Sequence, residues 1–138
     1  MKKITVDGLR KKAWDTFSVY IRLRDRRCVS CDEKFWDTEK GEYGIKGLQA
    51  GHFRHHKLDF DEENINAQCE RCNHYLSGNL APYSVYLVNK LGTEGFIALN
   101  SRADHALSGE KLSREDCEAI ITKYKKKSQE ILQKFSLI

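Results

Sequence analysis

Apolar and polar positions along the chain predict helices at both ends and a strand-like middle. Over residues 9–26, Trp14, Phe17 and Ile21 recur at i, i+3 and i+7, with Ala13 and Tyr20 beside them. That is the stripe of an amphipathic helix, and its aromatic residues suit a core. Residues 48–53 and 65–68 read as two short strands separated by the polar loop RHHKLDFDEEN. A helix then opens at Cys72 or Asn73 and runs to residue 80, with Pro82 marking its break. Tyr83, Tyr86, Leu87 and Lys90 carry helical spacing up to Gly92, and Thr93 starts a further short helix. Ser113 caps the last helix, with Asp116 three residues on approximating a capping box. The seam of that helix is Cys117, Ile121, Tyr124, Ser128, Ile131 and Phe135, a heptad-like alternation of four and three. Two partners fit it: the first helix of the same chain, or a second copy in a dimer. Cys117 reads as a buried thiol of this seam.

These elements make an α+β, mostly helical chain. Its 138 residues suit one domain, divided into a basic helix (1–27), a middle core (28–80) and a helical C-terminal part (81–138). Apolar residues are 40% and charged residues 32%, the balance of a soluble folded protein with a charged surface. No apolar run approaches the ~20 residues that span a bilayer, so no membrane partner is expected. The opening MKKITVDGLRKK lacks the apolar centre of a secretory leader, and the expected compartment is the cytosol, where thiols stay reduced. Net charge is only +4. Its distribution says more: Arg22, Arg24, Arg26 and Arg27 crowd the end of the first helix, and Lys123, Lys125, Lys126 and Lys127 cluster near the end of the chain. Such clusters suit phosphates and equally suit a solvated basic face.

Two C-x-x-C pairs, Cys28/Cys31 and Cys69/Cys72, bracket the middle of the chain. In a cytosolic protein the pattern is that of a tetrahedral zinc site; redox dithiols or disulfides are the alternatives. The pairs are farther apart than the ~15–20 residues of a minimal zinc ribbon. They therefore clamp the ends of a long insert that has little apolar material of its own, and Zn²⁺ should supply much of its folding free energy.

Within that clamp lie His52, Asn64 and, immediately after Cys72, Asn73. A neutral His can take a proton from water near pH 7. An Asn carbonyl can serve a hard divalent ion such as Mg²⁺ or Mn²⁺. A loop Asn can also bond backbone groups and hold the turn that aims a His. Taken singly, each Asn is more simply a turn or cap residue; their joint order carries the signal. Phosphodiester cleavage needs an activated water, a Lewis acid and charge relief at the leaving oxygen.

His52, Asn64, Cys69, Cys72 and Asn73 resemble the ββα-metal (HNH, His-Me finger) nuclease motif in its His-Asn-Asn form, in the zinc-clamped version of phage endonuclease VII. A closer resemblance runs from about Lys11 to Leu99. AWDTFSVYIRLRDRRCVSC, LQAGHF, FDEENINAQCERCNHYLSGN, Tyr83 and Leu87 are similar to the NinG/Rap family of phage recombination proteins. The resemblance implies a ββα-metal core and a phage- or prophage-encoded enzyme in the bacterial host. It would cut branched DNA such as Holliday junctions or D-loops. It also implies His52 as general base, Asn64 as loop brace, Asn73 as ligand of the catalytic ion, and structural zinc on the four cysteines. Arg22, Arg24, Arg26, Arg27 and Arg54 would hold phosphates. Resolving a junction takes two symmetric cuts, so a homodimer is expected. The rivals are a zinc-dependent DNA-binding module without catalysis and a nuclease of ordinary duplexes.

One departure stands out. Where endonuclease VII-like sites place a metal-binding Asp before the catalytic His, this chain has Gly51. His56, Asp59 and Asp61 are the candidate replacements. His55 and His56 crowd beside Arg54, where they could touch phosphate or simply face water, and His74 adjoins Asn73 but fits the motif less well.

Overall fold

The computed structural model describes residues 3–34, 45–108 and 111–135. Most of the charged, glycine-rich loop expected after Cys31 therefore lies outside the described residues. The elements are α1 (Val6–Asp25), β1 (Leu48–His52), β2 (Ile65–Cys69), α2 (Leu80–His105) and α3 (Arg114–Lys134), with a short π-helical turn at Arg71–Tyr75. This is a mostly helical α+β arrangement around a small two-stranded sheet.

α1 begins earlier than its apolar stripe. Thr5 caps it by accepting from the Gly8 N–H at 3.0 Å, which satisfies one of the first-turn donors. It ends where Arg26 turns left-handed at φ 60°. Leu9, Ala13, Phe17, Tyr20, Ile21 and Leu23 form its buried face.

The strands pair antiparallel, with Leu48 opposite Cys69, Gly51 opposite Asn66 and His52 opposite Ile65. One face carries Leu48, Ala50, Ile65, Ala67 and Cys69, and packs with Phe17, Tyr20, Ile21, Tyr124 and Leu132 of α1 and α3. The opposite face is also covered: Asn66 reaches the Tyr83 hydroxyl of α2 at 3.1 Å and Gln68 the Gly78 carbonyl at 2.6 Å. β2 is consequently buried at every position.

Three expectations are corrected. First, no helix runs from Asn73 to residue 80; the π-helical turn ends at Tyr75 and α2 starts afresh at Leu80. Second, Pro82 lies inside the first turn of α2 and does not break a helix. A first-turn residue has no carbonyl four back to bond, so the missing N–H costs nothing there. The real interruption is Gly92, at φ 75° and ψ 166°, a conformation that favours glycine. Third, the α3 seam drifts. Cys117, Ile121, Tyr124 and Ser128 are buried as expected, but the last buried position is Leu132, while Ile131 is half-buried and Phe135 is 36% exposed. A straight helix has 3.6 residues per turn, so a 3.5-residue seam slides off the contact face. These positions pack against α1 of the same chain, the first of the two partners expected. The capping box is formed as expected: Asp116 N–H donates to Ser113 Oγ at 3.1 Å and Ser113 N–H to Asp116 Oδ2 at 3.3 Å.

Glu62 ties the loop between the strands to both helices. Its carboxylate accepts from Tyr20 (3.0 Å), Tyr124 (2.9 Å) and Lys127 (3.0 Å). Burial alone would raise its pKa, but these donors outweigh burial and hold it below the ordinary value.

Candidate active site

The cysteine clamp is assembled from three pieces of chain. Cys28 and Cys31 sit in a turn closed by Asp32 N–H to Cys28 O at 2.8 Å and Cys28 N–H to Glu33 O at 2.9 Å. The turn is fastened to the sheet by Val29 N–H to Ala67 O at 2.9 Å. Cys69 ends β2 and Cys72 lies in the π-helical turn. All four Sγ atoms lie within 4.8 Å of one another, and none is in a disulfide. Cys31 Sγ and Cys69 Sγ are 3.8 Å apart, close to the ~3.8 Å that tetrahedral bonds of about 2.3 Å to one zinc ion require. The donor set therefore fits a structural zinc ion.

The thiols ionise unequally without an ion. Burial pushes Cys72 up to about 12 and raises Cys31. Cys28 goes the other way, because backbone N–H groups of Cys69, Cys31 and Ser30 outweigh its burial. Metal uptake must accordingly displace protons.

His52 closes β1 at the end of the hairpin away from Cys69. Its Nε2 lies 2.9 Å from Asp59 Oδ1, and its ring stacks on Trp14 with centroids 5.5 Å apart at 17°. Trp14, expected as plain core, is thus half-buried and forms a wall of the site. With Nε2 donating to the carboxylate, Nδ1 is left as the proton acceptor of the ring. His52 stands on a ridge between two hollows. One, of about 420 Å³, is lined by His52, His55, His56, Asp59, Asn73 and Ser108. The other, of about 350 Å³, is lined mainly by Arg10, Trp14, His52, Phe60 and Lys111. His55 is held below the ordinary histidine value by burial and then by the charges of His52 and His56.

Asn64 is fully buried and braces the loop after His52. Its Oδ1 accepts from Arg54 N–H at 2.8 Å. Its Nδ2 donates to the carbonyls of Lys57 (2.9 Å) and Arg54 (3.2 Å). Tyr83 donates its hydroxyl to Gly51 O at 2.7 Å and lies 3.2 Å from Asn64 O, so α2 grips both strand ends.

Asn73 reaches the same cleft as His52 from the π-helical turn. Its Nδ2 donates to Gln49 Oε1 at 2.8 Å. Its Oδ1 faces Gly51: a Cβ built on that glycine would lie 2.9 Å from Asn73 Oδ1 and only 2.0 Å from Gln68 Oε1. His74 is exposed and meets the Tyr75 ring edge to face. Of the candidate replacements for a residue-51 ligand, His56 and Asp59 line the cleft. Asp61 does not; it bonds Arg102 at 3.0 Å and caps the turn before Asn64.

The arginines separate. Arg24 is spent inside the protein, on Asp25, the Glu62 and Ile65 carbonyls and Asn66 Oδ1. Arg54 pins the loop to α2 through Asn100 and Asp104. Arg22 and Arg26 are half-buried, and Arg27 is exposed and paired with Asp32 at 2.8 Å.

Sequence reasoning missed Gln68, Gln49 and the wall formed by Trp14. Nothing in local spacing marks a strand Gln as part of a site, since alternation assigns it to a solvated face.

The fold is a mostly helical α+β domain whose four-cysteine cluster could hold a zinc ion. Comparison with known proteins narrows this. The family described as "Bacteriophage Lambda NinG protein" matches residues 4–134, and the chain belongs to that family. It is similar to "Protein ninG" of Escherichia phage 933W, 35% identical over 127 residues, which are 88% of this chain and 57% of that protein. The ninG proteins of Salmonella phage P22 and Escherichia phage lambda are 34% and 32% identical over 127 residues, again 88% of this chain, and 56% of each relative. The chain thus spans little more than half the length of these curated relatives. No solved structure matches it. Among the described residues no helix is long and apolar enough to cross a membrane.

Proposed function

We propose that this chain is an HNH-type, divalent-metal-dependent DNA endonuclease that cuts branched DNA, such as Holliday junctions and D-loops, in phage recombination. The observation that carries the reading is the meeting of His52 and Asn73 in one cleft, with Asn73 directly following Cys72 of the clamp. β1 followed by β2 and the π-helical turn is the order of a ββα-metal core, with the turn in the helix's place.

His52 is the general base. Asp59 and Trp14 hold its ring, and Nδ1 takes the proton of a water that attacks the scissile phosphate in line. Asn64 positions the loop that carries Asp59. The donors around Gly51 fit a hard cation: Asn73 Oδ1 and an unpartnered buried amide oxygen face a place with no side chain. A Mg²⁺ or Mn²⁺ ion there would relieve negative charge on the phosphate and on the leaving 3′ oxygen. Zinc on the cysteines has a structural part, keeping Asn73 at a fixed distance from the strand that bears His52. Backbone phosphates would be held by arginines of the set Arg22, Arg24, Arg26, Arg27 and Arg54, of which Arg27 is exposed. A homodimer making two symmetric cuts would use a surface other than the α3 seam.

The test is cleavage of a four-way junction against a matched linear duplex, with and without Mg²⁺. Metal-dependent cutting of the junction alone is expected, and His52→Ala should abolish it while leaving DNA binding within a few-fold. Cutting of both substrates would make it a general nuclease. Zinc-dependent binding without any cutting would make it a DNA-binding module.

A further inference from the structure

We propose that Gln68 supplies the second protein oxygen to the divalent cation, standing in for the side chain that Gly51 lacks. The inference rests on the reading that this cleft binds such an ion.

Gln68 has no exposed surface. Its Oε1 is one of two buried side-chain polar atoms among the described residues without a hydrogen-bond partner. Such atoms are rare in folded proteins and call for a reason. Misassignment of the amide is not the reason. Nε2 lies 2.6 Å from Gly78 O and 2.8 Å from Ser30 Oγ. A carbonyl can only accept, so exchanging N and O would set two acceptors against each other. The bonds to Gly78 and Ser30 therefore aim Oε1 at Gly51.

Asn73 is aimed at the same place from the other side. Its Nδ2 bonds Gln49 Oε1, which leaves Oδ1 toward Gly51. Two carboxamide oxygens converge where an aspartate at position 51 would have projected. Because a Cβ on Gly51 would lie 2.0 Å from Gln68 Oε1, an aspartate at 51 and this glutamine are alternatives that cannot coexist in the packing. Gly51 is needed for the close approach of Gln68. The glycine and the orphaned oxygen are one feature, and amide oxygens are suitable ligands for a hard cation. Both are neutral, so solution anions balance the ion's charge in the free protein, as substrate phosphate would in the complex.

The test uses Mn²⁺ alone, added to the zinc-loaded full chain and followed by loss of the free-ion EPR signal. Gln68→Ala should weaken Mn²⁺ binding by about tenfold or more, at unchanged zinc content. Gly51→Asp in the Gln68→Ala background should restore binding, because the carboxylate then enters the vacated space. Gly51→Asp alone should lower the unfolding midpoint through its clash with Gln68. Equal Mn²⁺ affinity in wild type and Gln68→Ala overturns the proposal, as does wild-type protein that binds no Mn²⁺. A wild-type crystal containing Mn²⁺ gives an answer independent of how any variant folds. An anomalous peak bonded to Gln68 Oε1 supports the proposal, and one bonded to Asn73 but not Gln68 overturns it. The two readings fail separately. Mn²⁺ bound through Gln68 in a protein that cuts no DNA sinks the nuclease and keeps the site. Mn²⁺-dependent cutting with Mn²⁺ affinity indifferent to Gln68 does the reverse.

Discussion

The two faces of the hairpin are equally buried and chemically opposite. Toward α1 and α3, Ile65, Ala67, Cys69, Leu48 and Ala50 make an ordinary apolar contact. Toward α2 and the π-helical turn, Asn64, Asn66 and Gln68 are each fully buried. That second face is held by hydrogen bonds: Asn66 to Arg24, Glu63 and Tyr83, Asn64 to the loop backbone, Gln68 to Ser30 and Gly78. The apolar face sets stability through volume. The amide face sets geometry, because each hydrogen bond has a direction. The candidate site is built on the second, and its one conspicuous unpaired oxygen lies there.

The largest expected effect tests whether the clamp supports both faces. Cys69→Ser, or removal of metal by a chelator, should unfold β1, β2 and the π-helical turn, since a zinc ion on these cysteines would couple binding to folding. Zinc content together with amide exchange across β1 and β2 checks this; full protection without zinc would show that the sheet stands by itself. Next, Ile65→Ala on the apolar face should cost about 3 kcal/mol in urea unfolding and leave Mn²⁺ binding unchanged. On the amide face, Asn66→Ala should cost about 2 kcal/mol, since it strands buried groups of Arg24 and Tyr83. It should also disturb the cleft through Tyr83, which bonds Gly51 O. If the two substitutions had the same effect on the cleft, the division between faces would fail.

The smallest effect is at Glu62, on the tie outside the hairpin. Its folded pKa is depressed from the ordinary 4.5 because Lys127, Tyr124 and Tyr20 outweigh its burial. Its contribution is therefore fully present above 4.5 and lost as pH falls through the lower folded value. Glu62→Gln should lower stability at pH 7 by about 1 kcal/mol and make the acid limb of the Tm profile shallower. A parallel profile would remove Glu62 as a source of that acid sensitivity.

Much of this was readable from local pattern. The α1 stripe, the α3 capping box, the helix break at Gly92, both strands and the cysteine clamp all follow from spacing and composition. The order His52, Asn64, Asn73 pointed to a site, and the fold brings His52 and Asn73 to one cleft with Asn64 behind the loop. What local pattern misjudged shares one cause. Pro82 was read as a break because its permitted place in a first turn depends on where α2 starts. The internal bonds of Arg24 and Arg54 were not legible either, because charge alone does not say which partners the fold provides.

Sequence by itself determined the family, the metal-type cysteine spacing and the pair His52 and Asn73 at the cleft. These are matters of residue type and short-range periodicity. Tertiary structure alone decided that α3 spends its seam on α1, that Trp14 covers His52 and that the polar side of β2 is buried. It also placed Gln68 Oε1 against Gly51. A period-two pattern assigns residues to faces, but what covers each face depends on long-range packing that no local window contains. The missing side chain at position 51 was visible in the sequence as an absence; only the packing shows which oxygen stands in its place.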